Sequence, residues 1–523
     1  MAKQKNILAY VESFHDEVTG SSFLLTICMP DKRTYHIMVD CGLYQETQYV
    51  RLNYTNEINA STIDAILITH NHIDHTGRCP NFVKNGYRNP IYTTPYTKEL
   101  MYSFLANSAN QQIANLADIK KEFPNEKFEI PYTLKDVQNT LELVESINFN
   151  TTKEILDGVK VTFFPNGHLL GAATILIQLS SFGYEDVNFL FTGDYKDSNI
   201  FFNVPKLPEW VLELPLTIVT ESTYGTTEFE DKTYCFDDNI KEAIEANQDI
   251  LIGAFAQGRM QEILYRIKYL QDIGIIPDYY QIVLDGPLGI ETCFTYRRLM
   301  YSSSNFHDSL FISDVSFFPK NLCIATQQER NSILSDNKRK IVITTSGMLS
   351  HGPAATYVPI FLQNKTLIHL TGFAAPNTLA RKLIDSFESE TEDEILINGD
   401  FYPSKKATIK WTNEFSSHAT APELINFLRQ FSNLKSIIIN HGETSVKEAF
   451  KMRVLNNVSC RHVEIINREK IFIVGTYGLI KQMQSKKKLP PSTLTQKSKK
   501  SSRHETSHKK NKKVKNFVNN LIK

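Results

Sequence analysis

The stretch Ile68-Thr69-His70-Asn71-His72-Ile73-Asp74-His75-Thr76-Gly77 places three imidazoles and one carboxylate within six residues. The run before it, 65–69, is short and apolar, which predicts a buried strand. Residues at alternate positions of a strand share a face, so His70 and His72 are expected to leave its end pointing the same way. Two neutral imidazoles placed in this way can hold one metal ion.

Asp74 and His75 follow where the chain must turn, and they can face the opposite side of the same cavity, toward a second metal. Imidazole nitrogens combined with carboxylate oxygens suit zinc best among the common ions, although manganese and iron also accept them. The alternative is a polar cluster in a surface loop. Metal-ligand residue types at this density directly after a strand are hard to obtain by chance, so we predict a metal centre.

Three more candidate residues follow predicted strands in the first half of the chain. Asp40 is either a turn residue or a carboxylate that orients a ligand histidine. His168 lies near glycines that allow the backbone to approach an ion, and it would supply a third nitrogen to the first site. Asp194 has two carboxylate oxygens and could bridge two cations about 3.5 to 4 Å apart, as two-metal hydrolysis requires.

Helical periodicity over 96–118 and 134–147 predicts scaffold helices. Between about 214 and 400, short apolar strands alternate with helical segments, which predicts a second α/β unit with a mostly parallel sheet. Ligands are expected at the carboxyl ends of its strands. The chain then returns with a strand over 407–411, a helix over 422–430 and a strand over 435–440.

Glu221, His418 and His441 stand out in this second half, and Glu221 and His441 directly follow predicted strands. Each of the two histidines taken alone is more often structural. Together with the six earlier ligand candidates, His441 becomes a better candidate for a metal ligand than for a bystander.

Length and composition favour a soluble globular protein with two or more domains, since the 523 residues are 41% hydrophobic and 22% charged. No signal peptide and no run of about eighteen apolar residues is visible, so we expect a cytoplasmic protein without membrane association. The seven cysteines form no CxxC pair, which indicates reduced thiols rather than a zinc–cysteine site.

Charge is unevenly distributed along the chain. Over 481–523, 14 residues are Lys or Arg and only Glu505 is acidic, whereas the preceding residues carry 43 basic and 56 acidic side chains. This composition predicts a basic, disordered tail, with a short helix over 514–522 on binding. Attraction of nucleic-acid phosphates by counterion release is favoured over a tail that only aids solubility.

The candidate residues, in their order along the chain, resemble the signature motifs of the β-CASP branch of the metallo-β-lactamase fold, the nucleic-acid-processing nucleases. Ala254-Phe-Ala-Gln-Gly-Arg259 and Ser346-Gly-Met-Leu349 agree with that branch too, and the resemblance covers roughly 5–475. It implies an α/β protein in which an αββα metallo-β-lactamase sandwich (1–213, returning over 401–480) is interrupted by an inserted α/β β-CASP domain (214–400). The active site would lie in the cleft between the two.

The resemblance also implies a role for each residue. A zinc-dependent ribonuclease with two Zn²⁺ ions would use His418 as the general acid, with Glu221 bound to it, and Asp40 and Asp74 would support the reaction. Cleavage would leave a 5′-phosphate and a 3′-hydroxyl. The first zinc would take His70, His72 and His168, the second Asp74, His75 and His441, and Asp194 would bridge both.

His441 favours RNA over DNA, because RNA-acting members of the branch have histidine in the last motif and DNA-repair members usually have valine. The likeness is strongest to the endonuclease subunit of the pre-mRNA cleavage and polyadenylation factor and its prokaryotic relatives; ribonuclease J is a second relative. By analogy with the prokaryotic members, the resemblance suggests a homodimer.

The sequence departs from the family pattern at Gly286 with Leu288, at His351 and at Thr420. None of these changes removes a metal ligand. They leave open whether the enzyme cuts RNA internally or trims it from the 5′ end. Three alternatives remain: a metallo-β-lactamase-fold enzyme acting on a small ester or thioester, a DNA nuclease, and a catalytically inactive scaffold that binds RNA. The inserted domain argues against the small-substrate enzyme, and His441 argues against the DNA nuclease. The complete ligand set argues against the inactive scaffold.

Overall fold

The computed structural model describes residues 6–46, 48–228, 235–302, 317–372, 374, 378–389, 394–397 and 399–485. The predicted basic tail begins at 481, but residues 481–484 belong to the last strand, Gly478–Gln484. The predicted disorder and short helix of the tail beyond Ser485 lie outside the described residues. Among the described helices, none combines the length and the apolar character that crossing a bilayer requires.

The strands in chain order are β1 Leu8–Ser13, β2 Phe23–Cys28, β3 Thr34–Val39, β4 Ala65–Leu67, β5 Ile91–Thr93, β6 Val144–Ser146, β7 Thr152–Leu156, β8 Val159–Pro165, β9 Ala173–Leu179, β10 Val187–Phe191, β11 Leu216–Thr220, β12 Ile250–Gly253, β13 Gln281–Asp285, β14 Leu322–Ala325, β15 Lys340–Thr344, β16 Leu367–Leu370, β17 Glu394–Ile397, β18 Asp400–Pro403, β19 Thr408–Trp411, β20 Leu434–Ile439, β21 His462–Ile465, β22 Lys470–Gly475 and β23 Gly478–Gln484. The helices are α1 Ile73–Thr76, α2 Cys79–Lys84, α3 Pro95–Glu122, α4 Leu134–Glu142, α5 Glu209–Leu212, α6 Cys235–Glu245, α7 Arg259–Asp272, α8 Pro287–Ser302, α9 Arg330–Ser335, α10 Ala354–Leu362, α11 Leu379–Glu388, α12 Ala421–Leu428 and α13 Thr444–Asn457, with 3₁₀ turns at Val50–Tyr54 and Ala60–Thr62.

Two sheets face each other and share one apolar core. The first has the order β23-β22-β1-β2-β3-β4-β5-β6 and the second β21-β20-β11-β10-β9-β8-β7. Side chains such as Leu25 and Phe472 from the first sheet meet Phe163, Ile177 and Phe189 from the second. Helices α2 to α4 cover the outer face of the first sheet, and α12 and α13 cover that of the second. The predicted αββα sandwich is therefore confirmed.

A third sheet, of order β14-β13-β15-β12-β16-β19, is parallel throughout. Helices α6 to α8 pack against one face and α10 and α11 against the other. Its central strands are short apolar runs because both of their faces are buried, which is the usual character of parallel strands. This sheet confirms the predicted second α/β unit.

Strand membership differs from the boundaries predicted at 214 and 400. Strand β11 pairs with β10 and β20, so it belongs to the second sheet of the sandwich. Strand β19 pairs with β16, so it belongs to the third sheet. The chain therefore leaves the sandwich after Thr220 and the third sheet after Trp411. A buried apolar strand fits either sheet equally well, and its partners are not visible in its own sequence.

The helix predicted over 134–147 is shorter than expected. Helix α4 ends at Glu142, and Val144–Ser146 pairs in parallel with β5 as the edge strand of the first sheet. The helical periodicity of the sequence extends to residue 147, but pairing with β5 makes the residues after α4 a strand.

Six strands end at one common edge of the sandwich, where their parallel directions bring the residues that follow them together. These strands and residues are β3 with Asp40, β4 with His70, β8 with His168, β10 with Asp194, β11 with Glu221 and β20 with His441.

His369 lies inside β16 and is fully buried. Its Nε2 accepts a hydrogen bond from Asn239 Nδ2 at 3.1 Å, and its Nδ1 donates to the carbonyl oxygen of Leu370 at 3.1 Å. Burial lowers the pKa of His369 to about 3, from an ordinary value of 6.5. As pH falls below 6.5, His369 becomes protonated in the unfolded chain but stays neutral in the folded protein. Acid therefore lowers the free energy of unfolding.

We expect His369→Gln to reduce the acid sensitivity of stability. Between about pH 7 and pH 5, the free energy of unfolding of the unmodified protein should fall by about 2 kcal/mol more than that of the variant. Urea unfolding at both pH values measures this difference. Above about pH 7.5 the difference in free energy of unfolding between the two proteins should not change with pH. If the stability of both proteins fell equally in acid, the lowered pKa of His369 would be contradicted.

Candidate metal centre

His70, His72, His168 and Asp194 form one compact group at the common edge. Each offers one ligand atom, and these atoms lie within 4.8 Å of one another. His70 lies just beyond β4, and His72 is the N-cap residue of the one-turn helix α1. His72 Nδ1 is 3.2 Å from His168 Nε2, so the loop after β8 closes the group from the opposite sheet.

Asp74, His75 and His441 form a second group with ligand atoms within 4.8 Å of one another. Asp74 and His75 lie on α1, and the ring centroid of His75 is 4.0 Å from that of His70, so the two groups adjoin. The Nε2 atoms of His75 and His441 are 3.1 Å apart. His441 has a left-handed backbone, with φ of 50°, directly after β20. Residues far apart in the chain thus converge on two adjacent points.

The carboxylate of Asp194 lies between the two groups. Its Oδ2 is 3.6 Å from His70 Nε2 and 3.5 Å from His168 Nε2. Its Oδ1 is 3.3 Å from His75 Nε2 and 3.2 Å from His441 Nε2. Each oxygen therefore faces a different set of imidazoles, which is the arrangement of a bridging carboxylate.

Hydrogen bonds on the far side of the rings orient three of the histidines. His75 Nδ1 donates to Asp40 Oδ2 at 2.7 Å, and His168 Nδ1 donates to the carbonyl oxygen of Ser417 at 2.9 Å. His441 Nδ1 is 3.2 Å from Thr223 Oγ1. With Nδ1 engaged in this way, Nε2 of each ring is directed inward, where it can coordinate a metal in the tautomer protonated at Nδ1.

Asp40 is itself firmly held. Its backbone is left-handed, with φ of 59°, directly after β3. Its Oδ1 accepts a hydrogen bond from the backbone N–H of Thr69 at 2.8 Å, and its Oδ2 accepts one from Thr69 Oγ1 at 2.9 Å. Asp40 therefore joins the ends of β3 and β4 while it binds His75, which makes it a positioning residue.

The donor set fits a metal cation. His70 Nε2 and Asp194 Oδ1 are buried without a hydrogen-bond partner, a costly arrangement for an imidazole nitrogen and a carboxylate oxygen. A cation that both atoms coordinate would satisfy them. Burial, reinforced by neighbouring imidazoles, lowers the pKa of His70 and His168 well below the usual value and that of His72 to about 4. These rings are therefore neutral and ready to coordinate.

The second group attracts positive charge. Burial opposes protonation of His75, but the carboxylates of Asp194, Asp40 and Asp74 outweigh it and raise the pKa of His75 well above the usual value. Burial likewise opposes ionisation of Asp194, but His441 and His75 outweigh it and hold the pKa of Asp194 well below its usual range. A bound cation would take the place of the proton on His75.

His418 and Glu221 adjoin the centre without belonging to either histidine group. His418 Nδ1 is 3.0 Å from Glu221 Oε2, and His418 Nε2 is 3.8 Å from Asp194 Oδ2. Burial disfavours the imidazolium, but Glu221 and Asp194 outweigh it and raise the pKa of His418 to about 8. Its side chain is 19% exposed, so a protonated Nε2 can reach a bound substrate.

All the site residues named from the sequence therefore lie within this one cluster. Sequence reasoning missed the groups behind them, namely Thr69, Thr223 and the carbonyl oxygen of Ser417. Each stands within two residues of a residue that was named, but no sequence pattern shows which backbone or hydroxyl oxygen will face a given ring nitrogen.

The departure at Thr420 has a structural explanation, and Asp285, next to the departure at Gly286, has a structural role. Thr420 is the N-cap residue of α12 and forms a capping box with Glu423, a role that suits threonine and aspartate alike. Asp285, beside Gly286, is buried in the third sheet and accepts hydrogen bonds from Arg330 and Tyr357. It supports that sheet rather than the metal centre.

Three family models match the chain. The metallo-beta-lactamase superfamily matches residues 15–206, the Beta-Casp domain matches 260–383, and the Zn-dependent metallo-hydrolase RNA specificity domain matches 402–462. The last two of these models match the part of the chain that carries the third sheet, His418 and His441.

Curated relatives show the same likeness. The transcription termination factor FttA of Methanococcus maripaludis is 29% identical over 436 residues, covering 78% of this chain and 63% of that protein. An RNase J-like protein of Methanocaldococcus jannaschii is 25% identical, covering 80% of this chain and 89% of its own length. The cleavage and polyadenylation specificity factor subunit 3-I of Arabidopsis thaliana is 25% identical, covering 85% of this chain and 61% of that protein. The chain spans 63 to 65% of the length of four of the FttA proteins that it matches.

We expect Asp40→Asn to weaken zinc binding by about 10- to 100-fold, because a neutral amide orients His75 less firmly and raises its basicity less than a carboxylate does. Titration of the protein against a competing zinc chelator measures the affinity. Asp64→Asn is the matched control, since Asp64 accepts a hydrogen bond from the backbone N–H of His36, away from the centre. Equal zinc affinity of the Asp40 variant and the control would contradict the role given to Asp40.

Proposed function

Since the chain belongs to the β-CASP branch of the metallo-β-lactamase superfamily, we propose that it is a zinc-dependent ribonuclease that hydrolyses phosphodiester bonds of RNA. The observation that carries the proposal is the position of Asp194, whose two oxygens face two separate sets of ligand atoms. Two adjacent cations held in this way are suited to phosphoryl chemistry.

In this proposal two zinc ions bind. His70, His72 and His168 would hold the first, Asp74, His75 and His441 the second, and Asp194 both. The orphaned atoms of His70 and Asp194 support it, as does the inward tautomer that outer hydrogen bonds favour for three of the rings.

When bound, the two ions would lower the pKa of a water molecule and offset the charge that develops on the phosphate. The remaining chemistry falls to the chain. His418 Nε2 is 3.8 Å from Asp194 Oδ2 and would donate a proton to the departing 3′-oxygen. Glu221 binds His418 Nδ1, so it orients the ring and favours the imidazolium. Glu221 Oε1 also accepts from the backbone N–H of Tyr195 at 2.5 Å, which fixes the carboxylate.

RNA is favoured as the substrate for two reasons. The chain matches an RNA specificity domain over 402–462, and the relatives include a protein named RNase J-like and a cleavage and polyadenylation factor subunit. The complete set of ligand residues argues against a scaffold that binds RNA without cutting it. A DNA nuclease is the alternative that the substrate comparison below decides.

We expect His418→Ala to retain zinc but to lose activity by about 10²- to 10⁴-fold, because the leaving oxygen would lack its proton donor. Asp74→Ala should lose activity together with metal, since Asp74 belongs to the second ligand group. Metal analysis and initial rates on one RNA, measured in parallel, separate the two effects. A fully active His418→Ala variant would exclude the general-acid role.

The proposed function is tested with one RNA labelled separately at its 5′ and 3′ ends, alongside the matching DNA. Unmodified protein and Asp194→Ala are compared, each with and without a zinc chelator. Cleavage of RNA that requires both Asp194 and metal would support the proposal, and the product ladder would separate internal cutting from 5′-end trimming. Cleavage of DNA alone would favour the DNA nuclease, and a zinc-loaded protein that cuts neither would favour the scaffold.

A further inference from the structure

The loop between β12 and α7 carries Phe255, and Arg259 is the first residue of α7. The proposed reaction gives neither side chain a role. The loop leaves the carboxyl end of a strand in the parallel third sheet, where ligands of open α/β sheets bind. This loop also contacts the segment that carries His70 and His72.

Several contacts place this loop beside the metal centre. Asn71, between His70 and His72, donates through Nδ2 to Gln257 Oε1 at 3.1 Å. A Cβ on Gly258 would lie 2.6 Å from Leu169 Cδ2, so the loop packs directly against the residue that follows His168. The loop therefore lies beside the residues that carry the candidate ligands, on the side of the third sheet.

Arg259 is a cation without an ionic partner. Its Nε is buried and unpartnered, and its guanidinium forms no ion pair with a described carboxylate. Arg266 on the same helix, in contrast, is paired with Asp237. Burial lowers the pKa of Arg259, and the nearby Tyr224 and Glu262 do not fully offset this effect. A half-buried guanidinium whose buried Nε lacks a partner among the described residues is costly unless an anion completes it.

The backbone around Arg259 provides room for its side chain. A Cβ on Gly372 would lie only 1.8 Å from Arg259 Nη1, so the guanidinium passes directly over a glycine at the end of β16. Asn71 Oδ1 and Gln257 Nε2 are also buried without partners, which makes the same seam polar and unsatisfied at several atoms. These features indicate a polar ligand rather than a closed structural contact.

Phe255 offers an aromatic surface next to this cation. Its side chain is 40% exposed, whereas most large apolar side chains of this sheet are buried. The ring lies against Gly347 at the end of β15, where a Cβ would be 3.1 Å from Phe255 Cδ2, and its centroid is 5.2 Å from Arg259 Cζ. A half-exposed ring beside an unpaired arginine combines the two groups that single-stranded nucleic acid recognises.

We propose that Arg259 and Phe255 form a strand-binding subsite, in which the guanidinium binds an RNA backbone phosphate next to the scissile one and the ring stacks on an adjacent base. This inference rests on the proposed ribonuclease function and specifies how the strand is held. The planar guanidinium matches phosphate oxygens in pairs, and stacking on Phe255 accepts any base, so the subsite would position RNA without reading its sequence.

The test measures binding separately from cleavage. All proteins carry His418→Ala so that a fluorescent single-stranded RNA stays intact, and its dissociation constant is measured by anisotropy at several salt concentrations. Arg259→Gln should weaken binding about tenfold and reduce the slope of log affinity against log salt by about 0.7, the value for one lost phosphate contact on a single strand. Arg259→Lys should restore the slope but only part of the affinity.

Phe255→Leu should weaken binding about tenfold with an unchanged salt slope, since it removes stacking and no charge. Lys268→Gln is the matched control: it removes one positive charge from the same helix, where Lys268 pairs with Asp272, and should leave affinity and slope nearly unchanged. In the background that keeps His418, Arg259→Gln should raise KM more than it lowers kcat. Zinc content and melting temperature are recorded for every variant.

The outcomes separate this inference from the function on which it rests. If the parent protein binds RNA and the protein with His418 cuts it, but Arg259→Gln behaves like Lys268→Gln, the subsite is wrong and the ribonuclease remains. If the protein neither binds nor cuts RNA, both fall. Should Arg259→Gln fail to fold, Arg259→Lys and Phe255→Leu decide: unchanged affinity in both would overturn the subsite.

Discussion

The carboxylate of Asp194 is the interaction on which the rest of the structure depends. It is buried among five imidazoles, each of its oxygens facing a different set, so its position must be held to a fraction of an ångström. Gly193 before it has φ of 58°, and a Cβ there would lie 2.9 Å from Thr69 Cβ. Asn166 Nδ2 donates to the carbonyl oxygen of Asp194 at 3.0 Å. The backbone around Asp194 is thus fixed from two sides before any ligand is considered.

Each sheet contributes to that arrangement in a different way. The first sheet supplies the residues 70–75 that follow β4, and it supplies Asp40, whose carboxylate binds His75 at the end of β3. The second sheet supplies Asp194 and the ends of β8, β11 and β20, and the third reaches residues 70–75 through Gln257. The apolar core of the sandwich keeps these strand ends in register. The charged cluster on top of it is poorly satisfied by protein groups alone, which is why a cation fits there.

The cleft beside the cluster has a second level of organisation. His418 and Glu221 stand on the sandwich side, and Tyr224 brings its ring within 5.9 Å of the ring of His418. Arg259 and Phe255 stand on the side of the third sheet, with glycines beneath them. Groups suited to proton transfer thus face groups suited to holding a charged strand. Such a division follows from placing one domain's strand ends against another's.

The sequence by itself determined the fold class and which residues form the candidate metal centre. Histidines at alternate positions after β4, and single acidic or imidazole residues after apolar strands, identify the candidate ligands because strand ends are local features. Tertiary structure alone decided that β11 belongs to the sandwich and β19 to the third sheet, since a buried apolar strand carries no record of its partners. It alone also showed that Asp40 binds His75 and that Arg259 pairs with none of the carboxylates that the structure describes. Those facts depend on distances between residues far apart in the chain, which spacing along the sequence does not encode.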